Sequence, residues 1–304
     1  MSDDLIAELG QIAEVRLDEP MSRHTTFGVG GPADMYVTVK TEDELRQAFA
    51  VARRHGVPVY ILGSGSNTLV GDKGIRGLVI DNQYAQLEGP VQNGVGLKVR
   101  AASGLSFSTL ARRLASSGYG GVEWACGIPG TLGGAVVSNA GAYGRSLADV
   151  LVGARLTDEK GDIREMKPDD FALGYRQSST EVLRDAAVLS VDIRVVEGDP
   201  EALKARIKEF DQQRKDAQPP GQNCGSVFKN PEGKSAWQYV DEVGLRGHRI
   251  GNARFSEKHT NFIENMGGAT ANDVRALINL AQERIRERVG VDMEREVAFV
   301  GEFE

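Results

Sequence analysis

The chain of 304 residues is short of several things, and each shortage narrows what it can be. No apolar run approaches the ~20 residues that cross a bilayer, so no membrane partner is expected. Only two cysteines occur, Cys126 and Cys224, too few for a disulfide framework and in keeping with a reducing compartment. Both stand beside glycine, in "ACG" and "NCG", and read as small buried thiols. The four histidines lie far apart and match no zinc spacing, so no metal is expected. Positive charge is in deficit: Lys+Arg 36 against Asp+Glu 43 gives −7, which argues against a nucleic-acid footprint or a basic membrane surface. The acidic start "MSDDLIAELGQ" lacks the apolar core of a signal peptide, and a cytoplasmic protein is expected. No internal repeat is evident. What remains is 40% hydrophobic and 26% charged, a composition with enough apolar side chains for a core. The length suggests about two domains.

Glycine is the excess. The 37 glycines amount to about 12% against a usual ~7%. They cluster at 28–31, 63–77, 118–144 and 221–251 without forming a low-complexity tract. "CGIPGTLGGAVVSNAGAYG" (126–144) holds six of them and nothing large before Tyr143. Such a stretch is either a slack linker or a place where backbone must press against something bulky. "GVGGPA" (28–33) fits G-x-G-x-x-A, but a strand rather than a helix follows, against a dinucleotide loop. "GSGSN" (63–67) directly follows the strand "VYIL" and can present successive N–H groups as an anion nest; a surface turn reads equally well there.

The spacing predicts a strand over 33–40, a helix opened by a Thr41–Glu44 capping box and closed by Gly56, and strands over 57–62 and 77–80. A strand over 95–101, a helix over 107–118, a hairpin turning near Glu159–Gly161 and a long strand over 186–198 follow. A polar helix capped by Asp199 stops at Pro219–Pro220. Beyond it, helices over 235–244 and 270–290 flank short strands within 248–255 and 260–265. The second helix is amphipathic through Val274, Leu277, Ile278, Ala281 and Ile285. A strand closes the chain over 293–303.

"HTTFGVGGPAD", "LGSGSNTLV", "GIPGTLGGAVVSNAGAYG", "YRQSS", "CGSVFKNP" and "MEREVAFVG" occur in that order. Together they resemble the UDP-N-acetylenolpyruvoylglucosamine reductase family from about residue 20 to 304. The short link "QSSTEVLRD" after Arg176 resembles the form without the extra tyrosine loop. The resemblance implies an α+β chain: an FAD-binding fold of the vanillyl-alcohol-oxidase type in two subdomains, with a smaller α+β substrate domain. The implied ranges are 1–90 with the C-terminal strand 296–304, then 91–204, then 205–295 for the substrate. It implies non-covalent FAD, NADPH as reductant, a sugar-nucleotide substrate, peptidoglycan precursor synthesis and a monomer. Gly63, Ser64, Gly65, Ser66 and Asn67 would cradle the FAD pyrophosphate. Gly127, Thr131, Gly133, Gly134, Asn139, Ala140 and Gly141 would line the path from adenine to flavin.

An enol ether bearing a carboxylate, attacked by hydride at its vinyl carbon, builds negative charge that needs a cation and a proton. Arg176 in "GYRQSS" offers a planar fork for the carboxylate; out of context it reads as a surface ion-pair partner. Glu296 in "EREVAFV", taken as a strand, shares a face with Ala298 and Val300; it is either a part-buried acid or an edge carboxylate. Ser226 in "CGSVFKNP" is the proton donor by resemblance, and by itself a turn residue. Strand alternation would turn Asn230, not Lys229, to the side of Ser226. Tyr143, Tyr175, Asn230 and His259 are the candidate substrate contacts, each open to a plain packing or solvent role. Two rival readings stand beside this one. A flavin oxidase of the same fold, acting on a sugar or hydroxy acid, is disfavoured in its covalent form because no histidine falls in 63–67 or 126–144. A binding module without catalysis would not need Arg176, Ser226 and Glu296 together.

Overall fold

Thr41 decides where the first long helix begins. Its hydroxyl accepts the Glu44 N–H at 3.2 Å while the Glu44 carboxylate accepts the Thr41 N–H at 3.2 Å. The helix Glu42–Arg54 follows and ends at His55, with Gly56 at φ 68°. The computed structural model describes residues 3–94 and 96–303, so Val95, the ends of the expected outer domains and the start of the expected strand 95–101 lie outside it. The chain divides into two compact units, the first of residues 1–16, 35–63 and 77–214, the second of residues 17–34, 64–76 and 215–304.

In the first unit, the buried face of that helix packs with residues 35–39, 59–62 and 77–82, which belong to the strands Pro32–Val39, Val59–Leu62 and Ile75–Asn82, the last two parallel. A second sheet is antiparallel, in the order Ile163–Met166, Leu151–Asp158, Ala186–Glu197, Gly96–Ala102, Leu87–Asn93. Its central strand is buried on both faces. Ala187 and Leu189 join the core of the first helix, while Val188, Val191 and Ile193 pack with Leu110, Trp124 and Leu132. Two-sided burial explains why "AAVLSVDIRVV" reads as a nearly unbroken apolar run. Helices Phe107–Ser116 and Pro200–Ala217 lean their apolar stripes on this second core. The helix Leu132–Ser138 rises from the glycine-rich stretch, where no periodicity announced it.

In the second unit, helix Ala271–Val289 opens with a Thr270–Asp273 capping box and ends at Gly290 with φ 74°. All five residues of its expected stripe are buried. The loop residue Asp72 adds a further cap, accepting the N–H groups of Ala271 at 2.7 Å and Asn272 at 2.9 Å. Strands Arg249–Ile250, Ala253–Phe255 and Ile263–Asn265 form a small antiparallel sheet against it. The tail contributes a strand only over Ala298–Val300, parallel to Thr68–Val70. Among the described residues no helix is long and apolar enough to cross a membrane.

Candidate active site

In the first unit, two tight hairpins carry the candidate ligand-facing side chains. Ala142 pairs with Arg145 around Tyr143 and Gly144, whose φ values of 54° and 74° are both positive, as a two-residue type I′ turn requires. The second tip is Gly174–Gln177, where the two end residues exchange backbone bonds of 3.0 and 3.2 Å around Tyr175 and Arg176. Arg176 has φ 53°. Glycine is the ordinary occupant of such positions, and another residue there costs roughly 1–2 kcal/mol. Both tips nevertheless hold a non-glycine residue in that region, Tyr143 in one and Arg176 in the other. Tyr175 is 56% exposed, and its ring underlies the Arg176 guanidinium at 5.5 Å. Tyr143 is anchored: its hydroxyl donates to the Phe210 carbonyl at 2.9 Å, and its ring packs on Phe210 at 4.4 Å.

Asn139 ties one tip to the glycine-rich stretch. It ends helix Leu132–Ser138 at φ 42°, a left-handed position that asparagine tolerates. Its amide donates to the Gly174 carbonyl at 2.8 Å and its oxygen accepts the Ala148 N–H at 3.0 Å. The side chain expected to line a cofactor path is therefore bonded at both ends to protein backbone. Other glycines of the stretch also answer to protein. A Cβ at Gly141 would lie 2.3 Å from the Arg145 carbonyl oxygen, and one at Gly127 2.5 Å from Arg214 Cδ. Gly133 donates to Ser103 and Ala140 to Ala135, at 2.8 and 3.0 Å. Gly63 leaves no room for a side chain against Thr131 Oγ1, 2.4 Å from where its Cβ would be. Gly134 alone of these is open, its nearest neighbour 3.8 Å from an added Cβ. Ser178, beside the Arg176 hairpin, is buried with its hydroxyl unpartnered among the described residues.

In the second unit, Ser64, Gly65 and Ser66 form a bend with Gly65 at φ 60°, and a Cβ there would strike the His24 carbonyl oxygen at 2.2 Å. Among the described residues their three consecutive N–H groups donate to no protein acceptor. Free successive donors on a left-handed bend suit a phosphate, so this loop fits the diphosphate of FAD. Asn67 turns the other way: its amide donates to the Glu296 carbonyl at 3.2 Å, and its own carbonyl accepts the Ala298 N–H at 3.1 Å. Glu296 in turn donates its N–H to Val227 at 2.8 Å, one residue past Ser226. These bonds bring Ser226 and Glu296, seventy residues apart in sequence, onto adjacent backbone segments of one unit. Arg176 belongs to the other unit.

Two local readings change. Glu296 is not in a strand: it stands between an isolated bridge at Arg295 and the strand Ala298–Val300, with a bend at Val297, so shared-face alternation does not set its half-buried state. Nor is 226–230 a regular strand. Lys229 reaches Glu294 at 2.5 Å, and Asn230, exposed, accepts the Ala236 N–H at 2.9 Å. The irregular path persists because Asn261, buried, replaces a neighbouring strand. Its oxygen accepts the Phe228 N–H at 2.9 Å, its amide donates to the Phe228 carbonyl at 2.8 Å, and its own carbonyl accepts the Val227 N–H at 2.8 Å. Sequence reasoning passed over Asn261; an asparagine between apolar Phe262 and buried Thr260 is the signal that was available. His259 packs against Phe262 and Trp237, and burial pushes its pKa down. Its Nδ1 accepts the Asn261 N–H at 3.3 Å. Both thiols are buried, which pushes Cys126 up to about 11 and Cys224 up to about 12 and leaves them poor nucleophiles.

An α+β chain with a free nest of N–H donors and glycine-relieved loops is the build of a nucleotide-cofactor protein, and residues 33–167 match the family described as FAD binding domain. The chain is an FAD-dependent oxidoreductase by this match and those that follow. Residues 214–300 match the family described as UDP-N-acetylenolpyruvoylglucosamine reductase, C-terminal domain. The chain is 44% identical over 289 residues to the UDP-N-acetylenolpyruvoylglucosamine reductase of Synechococcus sp. (strain JA-3-3Ab), covering 94% of this chain and 91% of that one. It is 42% identical over 287 residues to the enzyme of that name from Rubrobacter xylanophilus, covering 94% and 95%. The crystal structure of the UDP-N-acetylenolpyruvylglucosamine reductase from Thermus caldophilus superposes with a TM-score of 0.77 at 34% identity, over 95% of this chain and 98% of that one. The chain belongs to the UDP-N-acetylenolpyruvoylglucosamine reductase family.

Proposed function

We propose that the chain reduces the enolpyruvyl group of UDP-N-acetylglucosamine enolpyruvate to the lactyl ether of UDP-N-acetylmuramate, with NADPH as the electron source. The observation that carries the reading is the pairing of Ser226 with Glu296 through the Glu296 N–H to Val227 carbonyl bond of 2.8 Å. It gives a hydroxyl and a carboxyl on neighbouring backbone, as delivery of a proton to a developing anion requires. FAD, when bound, would supply the hydride for the terminal vinyl carbon. Charge then moves through the neighbouring carbon into the substrate carboxylate. Arg176 grips that carboxylate with its planar fork, and a preorganised donor of this kind is worth about 3–4 kcal/mol. Ser226 Oγ gives its proton to the α-carbon, and the Glu296 carboxyl donates a hydrogen bond to the same anion. One hydride and one proton saturate the double bond, and NADPH leaves as NADP⁺.

Ser64, Gly65 and Ser66 would hold the FAD diphosphate, with residues 127–141 along the ring. Tyr143, Tyr175, Asn230 and His259 border the sugar nucleotide in this reading. The domains are 1–90 with 296–304 and 91–204 for FAD, and 205–295 for substrate, in a cytoplasmic monomer. The test is anaerobic and uses Ser226→Ala. Flavin bleaching by NADPH is expected at the wild-type rate, and recolouring by the enolpyruvyl sugar nucleotide slowed about 10²–10⁴-fold. Equal slowing of both half-reactions refutes the proton-donor role.

A further inference from the structure

The bend that suits a phosphate and the loop that leads into Ser226 lie far apart in sequence, and Thr26 touches both. Its N–H donates to the Gly65 carbonyl at 3.1 Å. Its hydroxyl stands 2.7 Å from the Asn223 carbonyl oxygen and 3.4 Å from that of Gly65. A hydroxyl has one proton to give, so the shorter contact takes it and the main chain serves Gly65. The near end of this brace has no slack. A Cβ at Gly65 would lie 2.2 Å from the His24 carbonyl oxygen and 2.8 Å from Thr25 Cα, so the bend rests on the backbone just before Thr26. That backbone is fixed in turn: Thr25 donates its hydroxyl to the Val29 carbonyl at 2.8 Å, and Gly28 donates its N–H to the Thr25 carbonyl at 3.1 Å. At the far end, Asn223 Oδ1 accepts the Gly225 N–H at 3.0 Å, and Ser226 is the next residue. All of these residues belong to the second unit. Thr26 itself is exposed, so removing its hydroxyl opens no cavity in the core.

We propose that Thr26 is a positioning residue that registers the proton donor against the cofactor. Its main chain holds the diphosphate-binding bend, and its hydroxyl holds the turn Asn223–Gly225. An anion seated on the free N–H groups of Ser64, Gly65 and Ser66 restrains Gly65, Gly65 restrains Thr26, and Thr26 restrains the turn before Ser226. The consequence for proton delivery rests on the function proposed above; the brace itself rests only on FAD binding.

The test compares Thr26→Val, which keeps the side-chain shape and loses the hydroxyl, with Thr26→Ser, which keeps the hydroxyl. Amide hydrogen exchange of residues 223–226 is read by mass spectrometry on FAD-free and FAD-saturated chains. FAD is expected to slow this exchange in the wild type and in Thr26→Ser. Loaded Thr26→Val is expected to exchange about threefold to tenfold faster than loaded wild type, the worth of one hydrogen bond. In anaerobic single turnovers NADPH should bleach Thr26→Val at the wild-type rate, and the enolpyruvyl sugar nucleotide should recolour it about threefold to tenfold more slowly. Four results overturn the inference: FAD leaving wild-type exchange unchanged, loaded Thr26→Val exchanging like wild type, Thr26→Ser exchanging as fast as Thr26→Val, or equal slowing of both half-reactions. Wild-type recolouring of Thr26→Val while Ser226→Ala is slow overturns it too. Should Ser226→Ala recolour at the wild-type rate, the proton-donor role falls, and the exchange measurement alone decides the brace.

Discussion

Replacing Asn139 by alanine removes two hydrogen bonds at once and leaves their backbone partners behind. The Gly174 carbonyl loses a donor at 2.8 Å and the Ala148 N–H an acceptor at 3.0 Å. A buried group stranded in this way costs about 1–3 kcal/mol. Ala148 is exposed and Gly174 half-buried, so water relieves the first almost wholly and the second in part. Alanine at φ 42° adds roughly 1–2 kcal/mol. The sum is about 2–4 kcal/mol, which corresponds to a melting temperature lower by about 5–15 °C in a unit of this size. Asn139→Gly keeps the hydrogen-bond loss but escapes the backbone term, and should recover roughly 1 kcal/mol of the deficit. Circular dichroism melts of the three proteins, each stripped of FAD, measure both differences. An Asn139→Ala protein that melts within about 1 °C of wild type refutes the reasoning.

Glu296→Gln is expected to retain more of the second half-reaction than Glu296→Ala, since an amide still donates a hydrogen bond; equal loss in single-turnover traces assigns Glu296 to proton transfer instead. The backbone bonds of Glu296 to Val227 and Asn67 do not depend on its side chain, so both proteins should keep them. His259 has its pKa pushed down by burial, so the folded chain resists protonating it while the unfolded chain accepts a proton near pH 6.5. Its contribution to stability is therefore complete above about pH 6.5 and is lost as pH falls below that toward the folded pKa. Urea titrations between pH 7.5 and about 5 should find the decline shallower in His259→Phe; an unchanged slope removes His259 as its source.

Much of the architecture was legible because local signals and tertiary packing agree. The Thr41–Glu44 box, the stripe of Ala271–Val289 and the apolar run of Ala186–Glu197 each name an element whose burial the structure repeats. Ser226, Arg176 and Glu296 were legible as residue types within motifs, and the resemblance gave them roles. What they rest on was not legible. Asn261 holding Phe228, Asn139 holding Gly174 and Asn67 holding Glu296 are bonds across 33, 35 and 229 positions, and no periodicity encodes a hydrogen bond between distant turns. Alternation also failed around 226–230 and 295–297, because it presumes a regular ladder and both segments lie on isolated bridges.

The sequence by itself determined which helix faces are apolar and which loops are too poor in side chains to fill their own space, since these depend on residues a few positions apart. Tertiary structure alone decided that several of those glycines yield to the protein rather than to a ligand, and that Arg214 has no ion pair among the described residues. Close approach and charge compensation are properties of neighbours in space, and only the folded chain supplies the neighbours.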